Sequence, residues 1–145
     1  MGGVHEETVV DAAPRAVWDV VTDYASYPKF FGEFKSAEVI DREGTAQIVE
    51  FTADYGKTMS YTLRIEHDET KLRTRWTYVG GDLKDSTGGW EFQDAGGGKT
   101  KILYDVDASV GFLVPKFVID KLTKNNVPKM FDSLRAEVAR RAGKK

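Results

Sequence analysis

From residue 46 to residue 108 the apolar side chains return at every second position, segment after segment. In AQIVEFTADY, Val49, Phe51 and Ala53 alternate with Glu50, Thr52 and Asp54. In TMSYTLRIEH, Met59, Tyr61, Leu63 and Ile65 share one face, and Ser60, Thr62, Arg64 and Glu66 the other. KLRTRWTYV sets Leu72, Thr74, Trp76 and Tyr78 against Arg73, Arg75 and Thr77, and TKILYDVDASV aligns Ile102, Tyr104, Val106 and Ala108. KSAEVIDR and LKDSTGGWEFQD, with Trp90 and Phe92, complete the series. A period of two sends successive side chains to opposite faces of a strand. Sustained alternation therefore predicts antiparallel strands with one buried and one wet face. The separators (Glu43-Gly44, Gly56-Lys57, DET, GGD, AGGGK) are short and polar or glycine-rich, so consecutive strands pair as hairpins.

The flanks change period. VHEETVVDA reads as a further strand. APRAVWDVVTDY is a short amphipathic helix, with Pro14 in its first turn and Val17, Trp18 and Val21 at helical spacing. SYPKFFGEF is a second short helix or a turn, opened by Pro28 and ended by Gly32. A helix of about 25 residues follows Pro115, its apolar stripe made of Phe117, Val118, Leu122, Val127, Phe131, Leu134 and Val138. Lys116, Lys121, Lys124, Lys129, Arg140 and Arg141 supply its wet side. Pro128, in NNVPKMF, lies inside it. Proline removes a hydrogen bond and crowds the carbonyl four residues back, which predicts a kink or break near Asn125-Asn126 and an opening between the helix halves. A sheet with one apolar face must cover that face, and only this helix is long enough. The reading is an α+β fold: an antiparallel curved β-sheet wrapped around a long C-terminal α-helix, with two short helices after strand 1. It forms a single domain over 1–145 with a ligand-sized space between helix and sheet.

Little in the sequence supports catalysis. GGGKT lacks the glycine a phosphate loop needs five positions earlier, where Gln93 stands, and a strand follows it. DASVG has Asp107 where a nucleophile elbow needs glycine. Of the two histidines, His67 beside Asp68 and Glu69 reads as an exposed turn residue, and no metal set is expected. Glu50, Asp54, Asp105 and Asp107 fall on the wet face, as do Arg73 and Arg75. There is no cysteine, which fits a reducing, cytoplasmic setting. The start MGGVHEETVV has no secretory pattern, and Glu6 stands where myristoylation wants Ser or Thr. No apolar run is long enough to be a transmembrane segment. Charge is uneven: residues 1–110 carry 12 Lys or Arg against 20 Asp or Glu (−8), and residues 111–145 carry 9 against 3 (+6). The C-terminal helix is thus a candidate for contact with an anionic surface. The strand aromatics face inward, so no sequence-specific nucleic-acid partner is expected.

AAPRAVWDVVTDYASYPKFF and VPKFVIDKLTKNNVPKMFDSLR are similar to the opening and closing signatures of the START-like (SRPBCC) superfamily. That superfamily includes polyketide cyclases/dehydrases, lipid-transfer domains and coenzyme Q-binding proteins. The resemblance spans nearly the whole chain and implies the helix-grip fold. It implies binding of a hydrophobic small molecule, lipid-, isoprenoid- or polyketide-like, in the helix–sheet space, without catalytic residues or a cofactor. Tyr61, Trp76, Tyr78, Trp90, Phe92, Tyr104, Phe117 and Phe131 are the candidate ligand-binding residues, because alternation and helical spacing point them into that space. The alternatives are a cyclase or aromatase, using Tyr61, Tyr78, Tyr104 and Asp54, and a module docking through the basic helix.

Overall fold

The computed structural model describes the backbone of residues 3–54, 58–109 and 116–143, and the side chains of residues 5–54, 58–107 and 127–143. The expected element order is present: β1 (Gly3–Val10), α1 (Pro14–Val21), a 3-10 turn (Tyr24–Ser26), α2 (Tyr27–Phe30), β2 (Phe34–Glu43), β3 (Ala46–Asp54), β4 (Thr58–Asp68), β5 (Arg73–Gly81), β6 (Asp85–Gly96), β7 (Lys99–Ser109) and α3 (Lys116–Gly143). All seven strands form one antiparallel sheet in the order β1-β7-β6-β5-β4-β3-β2. Consecutive hairpins build β2 through β7, while β1 pairs with β7. The chain must therefore pass from one edge of the sheet to the other between β1 and β2, and α1 and α2 make that passage. The result is the helix-grip fold, a curved antiparallel sheet with α3 in its grasp.

Alternation predicts the buried face well. Val49, Phe51 and Ala53 are buried, as are Met59, Tyr61, Leu63 and Ile65, while Glu50 and Asp54 are exposed. Val17, Trp18, Val20 and Val21 bury the inner side of α1, which has Pro14 in its first turn and no side-chain cap. The second half of α3 buries Val127, Met130, Phe131, Leu134 and Val138. Each such side chain contributes about 1.5–3 kcal/mol on burial.

Three features depart from the sequence reading. First, α3 runs without a break through Pro128, which lies exposed. The expected break at Asn125-Asn126 is therefore absent, while the side chains that would line an opening beside the first half of α3 lie outside the described residues. Second, β5 and β6 pair only from Arg73↔Glu91 to Trp76↔Gly88. Third, the charges at the end of α3 are not simply solvated. Glu137, only 7% exposed, accepts from Arg140 (Nε 2.9 Å, Nη2 2.6 Å) and from Arg141 Nε (2.8 Å). Arg141 also donates to Asp23 (2.9 Å), and its guanidinium lies 5.7 Å from the centre of the Phe30 ring. Arg135 donates to Thr8 and to the Val9 carbonyl, capping the free edge of β1. These contacts fasten the C-terminal half of α3 to the α1–α2 segment and to β1. Among the described basic side chains of α3, Lys129 is the one left exposed without an ion pair. Lys121 and Lys124, the other cations proposed for anionic contact, lie outside the described side chains.

Candidate ligand-binding site

The inward side chains of the sheet and the facing turns of α3 gather into two groups of rings. The first surrounds Trp90. Its ring centre lies 4.5 Å from Tyr104, 6.0 Å from Phe92 and 6.4 Å from Phe131 of α3. Tyr104 is also 6.2 Å from Trp76 and 6.3 Å from Phe131. Five of the expected residues thus converge where α3 crosses β6 and β7. Edge-to-face and tilted pairs of this kind favour close aromatic association. Trp76 can lie flat here because Gly88 is opposite. A Cβ at Gly88 would stand 2.5 Å from the indole Cζ2 and 2.4 Å from the Asp105 carbonyl oxygen.

Tyr61 belongs to the second group. It stacks 5.6 Å from Phe51, which lies 5.3 Å from Phe34, 5.9 Å from Tyr27 and 6.3 Å from Tyr24. The α1–β2 segment supplies most of these rings. Tyr24, Tyr27, Phe31 and Phe34 recur there at intervals of three, four and three, a helical spacing, but the sequence reading does not carry them into the candidate site. Tyr27 is pinned by donating to the Val21 carbonyl (2.5 Å). Tyr78 is half-buried and turned aside, its hydroxyl donating to the Leu83 carbonyl (2.6 Å). Phe117 lies outside the described side chains. Tyr104 and Val106 face inward and are half-buried.

The polar groups of this interior are few. Burial raises the Tyr24, Tyr27 and Tyr104 phenols above their ordinary value, so they stay neutral and able to donate. Burial likewise raises the Glu33 carboxyl, against the lowering effect of its own backbone amide. The sequence gives Glu33 no direction, because the alternation of β2 starts at Phe34 and projects its neighbour outward. The bend at Gly32 precedes the strand and frees Glu33 from that rule. Its setting between Phe31 and Phe34 is the available signal. Asp54, the carboxylate named for a cyclase, is instead exposed on the outer face, 4.0 Å from Lys35 Nζ.

His67 also departs from its expectation. It is half-buried at the end of β4 rather than free on a turn. Nδ1 donates to the Thr45 carbonyl (2.9 Å), and in that tautomer Nε2 accepts from the Tyr24 hydroxyl (2.8 Å). Trp18 and Tyr24 meet its ring edge-on. The histidine is a tie between β4, the β2–β3 turn and the 3-10 turn. Among the described residues no group of three or more His, Asp or Glu side chains could hold a metal. Arg73 and Arg75 lie outside, as expected, along a groove of about 350 Å³ on the convex face with His5, Glu7, Leu103 and Asp105. Arg75 reaches across Gly89 to Asp105 (2.7 Å), so the groove is a charge-paired surface and not an apolar pocket. No described helix is long and apolar enough to cross a membrane.

Residues 10–135 match the family described as polyketide cyclase / dehydrase and lipid transport. The chain belongs to that family. A putative polyketide cyclase of Streptomyces halstedii is 33% identical over 98 residues, which span 65% of this chain and 84% of that protein. The crystal structure of TTHA0849 from Thermus thermophilus superimposes with a TM-score of 0.87 at 24% identity, covering 99% of both chains. Zhui aromatase/cyclase from a Streptomyces species (R1128) does so with 0.86 at 18% identity, covering 98% of this chain and 96% of that one. At these identities the two structures establish the fold alone.

Proposed function

We propose that the protein binds a hydrophobic small molecule, lipid-, isoprenoid- or polyketide-like, between the concave face of the sheet and α3, and that it does so as a carrier. The observation that carries this reading is the Trp76–Trp90–Tyr104–Phe131 group between the sheet and α3. Aromatic walls with a few convergent polar groups are the usual lining of a small-molecule site. The Tyr61 and Tyr104 phenols would orient an oxygen-bearing ligand. Membership of a cyclase and lipid-transport family is consistent with either carriage or catalysis.

The test is native mass spectrometry of the purified protein together with solvent extraction. A bound apolar species released by extraction supports the reading, and Trp90→Ala should weaken its retention about tenfold or more. Protein that carries nothing and binds no apolar probe saturably would end it.

Glu33 favours a second reading, as a cyclase. A half-buried carboxyl whose pKa burial raises is, among the described residues, the one interior group suited to give and take a proton, while the cavity folds a flexible chain into position. Turnover of a poly-β-ketone that is lost in Glu33→Gln, with binding retained, would decide for it.

A further inference from the structure

The hairpin of β5 and β6 is split along half its length. Pairing stops at Trp76↔Gly88, yet each strand keeps its other neighbour well beyond that point. β5 stays on β4 as far as Gly81↔Tyr61, and β6 stays on β7 from Asp85↔Ser109 onward. Residues 77–81 and 85–87 therefore form the two lips of a slit through the sheet. A register shift in the β4–β5 pairing leaves Val79 out of register on one lip, 57% exposed.

Side chains cross this slit where the backbone ladder does not. At its closed end Trp76 Nε1 donates to Ser86 Oγ (3.1 Å), and Ser86 is only 4% exposed. Nearer its open end the Tyr78 hydroxyl donates to the Leu83 carbonyl (2.6 Å). Both donors come from the inner face of β5. Directly behind Trp76 stands Tyr104, the half-buried member of the aromatic group. The unpaired stretch thus adjoins the aromatic group, and two side-chain hydrogen bonds span it.

We propose that this slit is the passage by which an apolar ligand reaches and leaves the cavity, and that the Trp76–Ser86 and Tyr78–Leu83 bonds are its latches. A missing ladder removes several cooperative backbone bonds from the path, so the lips part without unfolding β4 or β7. Trp76 and Tyr78 then select what passes, favouring flat ring systems that slide against indole and phenol over bulky branched ones. α3 runs unbroken through Pro128, so a helix break is not the route. The inference rests on the cavity-binding reading above.

The test uses the uncharged fluorophore N-phenyl-1-naphthylamine and stopped-flow fluorescence. Ser86→Ala removes the Trp76 latch and alters no candidate ligand-binding side chain. Uptake and release should both quicken about 2–10-fold, the range for one hydrogen bond, with the dissociation constant nearly unchanged. The chain has no cysteine, so Thr77→Cys with Thr87→Cys places a unique pair on the two exposed lips. Joining them with a bis-maleimide should slow both rates about tenfold or more. A bridged protein that exchanges probe at the wild-type rate overturns the passage while leaving the cavity reading intact. Wild-type protein that never binds the probe overturns both.

Discussion

Replacing Glu137 by Gln tests how α3 is held over the sheet. The carboxylate takes three short hydrogen bonds from two guanidiniums, and Arg141 carries the connection on to Asp23. The side-chain bond from Arg140 is the largest influence on it, followed by the opposing effect of burial and the bond from Arg141. Together they lower its pKa from 4.5 to about 2. A shift of that size corresponds to about 3 kcal/mol of differential stabilisation of the charged form. Arg140 is 56% exposed, so solvent screening makes this a ceiling. The expected loss in Glu137→Gln at pH 7 is about 1.5–3 kcal/mol, or about 4–10 °C in Tm for a domain of this size. The sign in pH follows from a lowered native pKa. The contribution is whole above about pH 4.5 and fades as pH falls toward 2. Urea unfolding at pH 7, 4.5 and 2.5 measures it. Wild type and variant should differ at pH 7 and converge at the acid end. A constant difference across the series, or none at pH 7, would show that the carboxylate does not hold α3 by its charge.

Gly88→Ala should cost about 2–3 kcal/mol in urea unfolding, because its Cβ meets both the Trp76 ring and a β7 carbonyl, whereas Gly32→Ala, with nothing within 4 Å, should change little. Pro128→Ala should raise stability by about 1–3 kcal/mol, since the helix already runs through that position, and should leave probe exchange rates as they are. Faster or slower exchange in that variant would return the passage to the helix. Tyr27→Phe should cost about 1–2 kcal/mol by stranding the buried Val21 carbonyl, again read by urea unfolding.

The sheet was legible because alternation is a local property: each strand carries its own record of which face is buried. Val49, Phe51 and Ala53, or Tyr61, Leu63 and Ile65, needed no knowledge of their partners to be assigned. The Trp90 group followed from the same rule together with the helical spacing of Phe131. What alternation could not carry was anything outside a regular strand. Glu33, Phe31 and Tyr27 sit where the chain turns from the 3-10 turn through α2 into β2 within a few residues, so the helical spacing of the rings did not say which of them meet Phe51 of β3. His67 looked like a turn residue from its acidic neighbours, and its two ring bonds come from residues 43 and 22 positions away. The split in the β5–β6 hairpin was hidden for a different reason. A glycine pair within LKDSTGGWEFQD reads as a weak strand, but where the ladder stops depends on a tryptophan from the next strand lying across it. Pro128 was read by its local cost alone, and burial of the turns that follow outweighs that cost.

The most direct test of the central claim is a crystal structure of the protein with an uncharged apolar ligand of about two or three fused rings, a size that suits a pocket of this kind. The account predicts ligand density between the Trp76–Trp90–Tyr104–Phe131 group and the Tyr61–Phe51 group, under α3, with a ligand oxygen near Tyr104 or Tyr61. Density only in the convex-face groove beside Arg73 and Arg75, with the inward rings closed upon one another, would contradict it.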